Sequence, residues 1–210
     1  MKLYNFARAP NGKRVNAFLA AKGLAVDCVA VDLIAGEQRS PEFLARNPRG
    51  EIPLLELDDG TCIAESVAIC RYLERLHPEP ALFGSSHEEE ALVEMWNRRL
   101  EFGLFRSVAD YFQHTLEFFR DRVRQVPEYA EASRASAIEA LSWLDAQLGE
   151  RPYVAGERYS IADITAQVAI DLGTPTLFET GSAPANIARW LECVRRHPSA
   201  AAIHQPEASA

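Results

Sequence analysis

Glu65 and Ser66 stand where a strand pattern gives way to a helical one, and that junction can do chemistry. At a helix start, unpaired backbone amides and a serine hydroxyl can hold a carboxylate, and the Glu65 side chain can draw a cation. The same pair reads equally as an ordinary N-terminal cap with an acid in the first turn. Asn11, just before Gly12 at another helix start, can donate a hydrogen bond from its amide or simply cap the helix. Ile52-Pro53 opens a strand run, where the proline needs no role beyond starting the strand. Gln38 and Arg39 lie in a polar loop. The cysteines (Cys28, Cys62, Cys70, Cys193) form no CxxC pair, which predicts buried free thiols in a reducing compartment. The histidines (His77, His87, His114, His197, His204) show no metal-ligand spacing, so no metal site is expected.

These residues need elements to hold them. Lys2–Phe6 reads as a strand, and Pro10 suits the first turn of a helix whose apolar stripe is Val15, Phe18 and Leu19 and whose end is Gly23. Residues 26–33 read as a second strand. Ser40-Pro41-Glu42 combines a cap, a first-turn proline and an acid. Two short β runs, 52–57 and 61–64, flank Asp58-Asp59-Gly60 as a hairpin, and 65–76 returns to helical period. The order is β-α-β-α-β-β-α over residues 1–77, a small α/β domain. Residues 78–87, rich in proline, glycine and serine, read as a linker. From 88 to 203 the signals are helical: a long helix through Trp96, Leu100, Leu104, Val108 and Phe112, a helix opened by the capping box Ser160-Ile161-Ala162-Asp163, and a last one near 187–196 stopped by Pro198. Residues 204–210 read as a tail.

Composition bounds the function. With 210 residues, 48% hydrophobic and 25% charged, the chain can bury a full core. A formal charge of −8 disfavours nucleic acid and anionic membrane surfaces as partners. No stretch approaches the roughly 20 apolar residues of a membrane span.

Three segments in this order resemble the cytosolic glutathione transferase family across roughly residues 1 to 199. They are Asn47-Pro48-Arg49-Gly50-Glu51-Ile52-Pro53-Leu54-Leu55, similar to NPxGxxPxL; Glu65-Ser66-Val67-Ala68-Ile69, similar to ES-x-A-I; and Ser160-Ile161-Ala162-Asp163, similar to S-x-A-D. The resemblance implies an N-terminal thioredoxin-like α/β domain that binds glutathione as substrate, followed by an all-α helical-bundle domain, in a cytoplasmic homodimer. It implies a cis Ile52-Pro53 bond that turns the Ile52 backbone toward the cysteinyl part of glutathione. Glu65 and Ser66 would hold the γ-glutamyl end, and Gln38 with Arg39 the glycyl carboxylate.

At the catalytic position the chain departs from the family pattern. The residue that carries a serine hydroxyl in many relatives falls on Ala9, and Tyr4 lies too early for the tyrosine types. Ala9-Pro10-Asn11-Gly12 is similar to nu-class-like bacterial members, which makes Asn11 the expected support for the glutathione sulfur. The second substrate is expected against the long helix, where Tyr111 and His114 share a stripe with Leu104, Ser107 and Phe118, although a histidine among aromatics is more often packing. The dimer is expected through helices 65–76 and 88–112, with Glu101 approaching the partner's ligand. The expected activity is addition of glutathione to small electrophiles. Alternatives are a glutathione-dependent peroxidase or disulfide reductase, and a non-catalytic ligand carrier.

Overall fold

The computed structural model describes residues 1–149, 151–177 and 183–204, so the expected tail lies outside the described residues except for the backbone of His204. The chain divides into two units: Met1–Ala81 together with the described residues from His197 onward, and Leu82–Arg196. In the first unit, strands β1 (Lys2–Asn5), β2 (Asp27–Ala30), β3 (Leu54–Glu56) and β4 (Cys62–Ala64) form one sheet in the order β2-β1-β3-β4. β1 is parallel to β2 and antiparallel to β3, and β3 is antiparallel to β4. Helices α1 (Pro10–Lys22), α2 (Pro41–Arg46) and α3 (Ser66–Leu76) complete the thioredoxin-like order β-α-β-α-β-β-α.

Strand alternation distributes the core over both faces of this sheet. Tyr4 stands opposite Leu54, on the face where Phe43 of α2 and Val31 pack. Leu3 stands opposite Leu55, and both are buried on the other face, where α3 packs. Pro10 starts α1 where its missing N–H costs nothing, and α1 buries Val15, Phe18 and Leu19 as its stripe predicts. Ser40 caps α2 by accepting from the Phe43 N–H at 3.2 Å.

The helix α9 (Ser199–His204) follows the Pro198 stop and packs on α1 in the first unit. Its pattern is too short to register as a period. The cysteines are free, but only Cys70 is fully buried. Cys28 is exposed because β2 is an edge strand with all four residues open to solvent.

The second unit is helical: α4 (His87–Arg99), a π-helical stretch Leu100–Phe105, α5 (Arg106–Thr115), α6 (Pro127–Leu148), α7 (Ile161–Leu177) and α8 (Ala185–Val194). The expected long helix is therefore continuous but widened in the middle. Trp96, Leu100, Leu104 and Val108 are all buried at four-residue spacing, which drifts about 40° per step on a 3.6-residue helix. The wider π turn absorbs that drift and keeps the stripe on one face. α7 is buried on all sides from Ile161 to Ile170, its polar Asp163, Thr165 and Gln167 included. No described helix is long and apolar enough to cross a membrane.

Candidate functional site

In the first unit, the starts of α1 and α3 meet. Ala9, not Asn11, is the N-cap of α1, and its side chain makes no cap bond. Pro10 takes the first helical position and Asn11 the second, so Asn11 has no capping role. Instead its Oδ1 accepts the Ser66 hydroxyl proton at 3.3 Å. Ser66 Oγ in turn accepts from Arg14 Nη1 at 2.8 Å, and this bond is buried. The Asn11 Nδ2 group carries no hydrogen bond among the described residues.

Gly12 lets this start form. A Cβ there would stand 2.5 Å from the Phe6 carbonyl oxygen and closer still to Asn5 Oδ1. Asn5 is itself fixed, accepting the Phe6 N–H at 2.9 Å and donating to Asn16 Oδ1 at 3.0 Å. Gly12→Ala is expected to push α1 outward, to cost roughly 1–3 kcal/mol, and to displace Asn11. Urea unfolding reads the cost in stability, and an unchanged midpoint would mean that the turn gives way freely.

Glu65 is the N-cap of α3 and has φ 68°, a left-handed value held by no other non-glycine among the described residues. Such backbone costs on the order of 1–3 kcal/mol and tends to persist where a site needs it. Its side chain makes no cap bond, and the first bond of the helix is the Ile69 N–H to the Glu65 carbonyl at 2.9 Å. The earlier N–H groups of α3 are thus open to an anion, with the exposed Glu65 carboxylate beside them.

Loop 47–53 forms another wall. Asn47 is buried and donates to the Glu51 carbonyl at 2.8 Å, while its own carbonyl accepts from the Gly50 N–H at 2.8 Å. Gly50 has φ 59° and lies so close to the 37–39 turn that a Cβ would stand 2.8 Å from the Gln38 carbonyl oxygen. Arg39 Nη1 reaches the Arg49 carbonyl at 3.1 Å. Gln38 is buried, and its Oε1 has no hydrogen-bond partner among the described residues. Ile52-Pro53 is cis, and neither the N–H nor the C=O of Ile52 is hydrogen-bonded among the described residues.

Tyr4 is engaged elsewhere. Its hydroxyl donates to Glu56 Oε2 at 2.6 Å, and the Arg46 guanidinium covers its ring. The hydrogen bond to Glu56, with burial, raises the phenol above its ordinary pKa. Burial pushes the Cys28, Cys62 and Cys70 thiols up, Cys70 most. Among the described residues no group of three or more His, Cys, Asp or Glu side chains could hold a metal.

In the second unit, Tyr111 and His114 lie one turn apart on α5. His114 Nδ1 accepts the Val126 N–H at 3.0 Å, and its ring meets Tyr129 edge to face at 4.9 Å. With Nδ1 an acceptor, the neutral ring carries its proton on Nε2. Tyr111 packs edge to face on Phe112 at 5.6 Å.

Arg14 and Asn5 lie outside every motif of the sequence. For Arg14 there was a signal: a cation four residues before Phe18, on the buried face of an amphipathic helix.

The family model "Glutathione S-transferase, N-terminal domain" matches residues 1–75, and "Glutathione S-transferase, C-terminal domain" matches 106–198. The chain is 34% identical over 203 residues to Glutathione S-transferase 2 of Saccharomyces cerevisiae, covering 95% of this chain and 87% of that protein. The crystal structure of Gtt2 from Saccharomyces cerevisiae superposes with a TM-score of 0.89 at 33% identity, covering 97% of this chain and 100% of that one. A class Gtt2 glutathione S-transferase of Vibrio parahaemolyticus superposes with a TM-score of 0.81 at 38% identity, covering 95% and 94%.

Proposed function

The chain belongs to the glutathione S-transferase family, and from that premise we propose that it binds glutathione in its first unit and presents the sulfur as a thiolate to small electrophiles. The observation that carries this reading is the juxtaposition of Asn11 with Ser66 beside the open start of α3. The α3 amides, the Ser66 N–H among them, hold the γ-glutamyl carboxylate, and Glu65 holds its ammonium. The free N–H and C=O of Ile52, next to cis Pro53, pair with the cysteinyl backbone. Gln38 and Arg39 serve the glycyl end, and Asn11 donates Nδ2–H to the sulfur. In the reaction the thiol proton leaves to water, the thiolate lone pair forms a new bond to the electrophilic atom, and that centre expels its leaving group or takes up a proton.

The magnitudes suffice without a hydroxyl. A free thiol has a pKa of about 8.5, and lowering it by roughly two units needs about 2.7 kcal/mol. A hydrogen bond to a charged group supplies about 1.5–3 kcal/mol and a helix start about 0.3–1 more. Titration of thiolate absorbance on adding glutathione is expected to show the bound thiol largely ionised at pH 7; a bound thiol titrating as in free solution would refute the reading. Asn11→Ala is expected to raise that pKa by about one to two units with little change in affinity. Because the raised pKa leaves less thiolate at neutral pH, turnover falls some tenfold near pH 7 and recovers as pH rises. Glu65→Ala is expected to weaken glutathione binding by about 1–3 kcal/mol; an unchanged calorimetric affinity would remove that assignment.

For the second substrate, Tyr111 and the Nε2–H of His114 are the proposed contacts on α5. We assign a two-fold homodimer through α3 and the segment α4–α5, supported by apolar side chains these helices leave exposed: Leu76, Leu92 and Phe102, the last 69% open. Glu101, the carboxylate expected to reach the partner's ligand, is already paired with Arg98 at 2.5 Å. Sedimentation at micromolar concentration is expected to give the dimer mass, and Phe102→Glu to lower it; a wild-type monomer rules the dimer out. A cytoplasmic location accompanies this reading, supported by the free thiols.

A further inference from the structure

Arg14 is 1% exposed, four residues from the α1 start, and one of its nitrogens reaches across to α3. A guanidinium has donors and no acceptor. Ser66 Oγ must therefore accept in its 2.8 Å bond with Arg14, and its single proton is left for another acceptor. That acceptor is Asn11 Oδ1 at 3.3 Å. A primary amide can turn either end toward a neighbour, and here the chain of bonds decides which. With Oδ1 committed to Ser66, Nδ2 faces the other way with both protons available.

We propose that Arg14 is a positioning residue which, through Ser66, sets the direction of the Asn11 amide so that its N–H2 end and not its carbonyl faces the glutathione sulfur. This rests on the reading above that Asn11 supports the thiolate. A carbonyl turned toward the sulfur would repel a thiolate and favour the thiol, so the direction of one amide decides whether the site activates or suppresses the nucleophile. Arg14 itself touches no substrate in this assignment. Its contribution travels along two hydrogen bonds, which distinguishes it from a cation acting on the sulfur by charge alone: the charge would act whether or not Asn11 is present, and the relay would not.

The test is the pKa of the bound thiol, read from thiolate absorbance at saturating glutathione in four proteins: wild type, Asn11→Ala, Arg14→Met and the double variant. Arg14→Met is expected to raise the pKa by about one unit, since the amide is freed to turn and loses much of one charged hydrogen bond. Added to Asn11→Ala, it is expected to raise it no further. An equal rise in both backgrounds would overturn the relay in favour of direct charge. If Asn11→Ala raises the pKa and Arg14→Met does not, the relay alone falls. If Asn11→Ala itself leaves the pKa unchanged, the sulfur assignment falls and the relay with it. Should Arg14→Met fail to fold, Ser66→Ala cuts the chain in its middle while keeping the buried cation. The same rise is then expected, again absent in the Asn11→Ala background, and its presence there would overturn the proposal.

Discussion

Asp163→Ala is expected to destabilise the helical unit by about 3–5 kcal/mol, a large part of the roughly 5–15 kcal/mol that holds a domain folded. The Asp163 carboxylate is fully buried at the start of α7. It accepts the Val154 N–H at 2.9 Å, the Ser160 N–H at 3.0 Å, the Ser160 hydroxyl at 3.1 Å and the Trp190 Nε1–H at 2.9 Å. One side chain thus caps the central helix, fixes the 154–160 loop and anchors α8. Alanine leaves several buried donors without an acceptor, at about 1–3 kcal/mol each, partly offset because a desolvated carboxylate is no longer buried. Asp163→Asn keeps the shape but faces the Ser160 N–H with a donor, so it is expected to fall between alanine and wild type. A urea midpoint for Asp163→Ala within about 1 kcal/mol of wild type would mean that Val154 and Trp190 find other acceptors.

The same group predicts a pH dependence. Burial outweighs the four donors and holds the Asp163 pKa up at about 6, well above the ordinary aspartate range. The folded state therefore keeps this proton more tightly than the unfolded chain does. By linkage its contribution is greatest below about pH 4, declines as pH rises toward about 6, and is then constant. Asp163→Asn is expected to flatten that part of the stability curve. A curve that keeps its slope in the variant assigns the dependence to other carboxylates.

The contrast between what the sequence announces and what it hides follows from the range of the interactions. β-α-β-α-β-β-α is legible because each element carries its own signals: Pro10 and Gly23 bracket α1, Ser40-Pro41 opens α2, and Asp58-Asp59-Gly60 turns the hairpin. The Ser160–Asp163 box is equally local, three residues apart, and it forms. Its reach to Trp190 is not local, and no pattern announces it. The π turn at 100–105 hides in a four-residue spacing that an α-helix nearly accommodates. In the candidate site, Asn11 and Ser66 are singled out by motif, but their contact joins residues 55 apart and depends on Pro10, which moves the cap back to Ala9. Arg14 needs the packing of α1 on α3 before its role exists. Sequence reading names the residues that touch a ligand more readily than those that aim them.

Lys22→Met is the second large effect expected, about 3–5 kcal/mol. Lys22 ends α1, with its side chain wholly buried and its ammonium 2.5 Å from Glu74 of α3. The ammonium also donates to the carbonyls of His77 at 2.7 Å, Pro78 at 3.2 Å and Pro80 at 2.5 Å. Methionine keeps the apolar stem and the volume, so the loss isolates the charge: Glu74 loses the Lys22 ammonium in a buried setting, and three carbonyls lose this donor. Arginine is no conservative substitute, because its planar fork cannot converge on four partners gathered around one nitrogen. The position of this pair gives it a second consequence. Arg14 meets Ser66 across an offset of 52 residues, and Lys22 meets Glu74 across the same offset. α1 and α3 therefore run parallel in one register, tied at both ends about 12 Å apart along the axis. The first tie aims Asn11, and the second keeps the register that makes the first possible. Glu74→Gln combined with Lys22→Met is expected to lose less than the two changes summed, by about 0.5–3 kcal/mol, as for groups in one network. Strict additivity in urea unfolding would mean that Lys22 acts through the linker carbonyls alone, and that the far ends of α1 and α3 are not coupled through this pair.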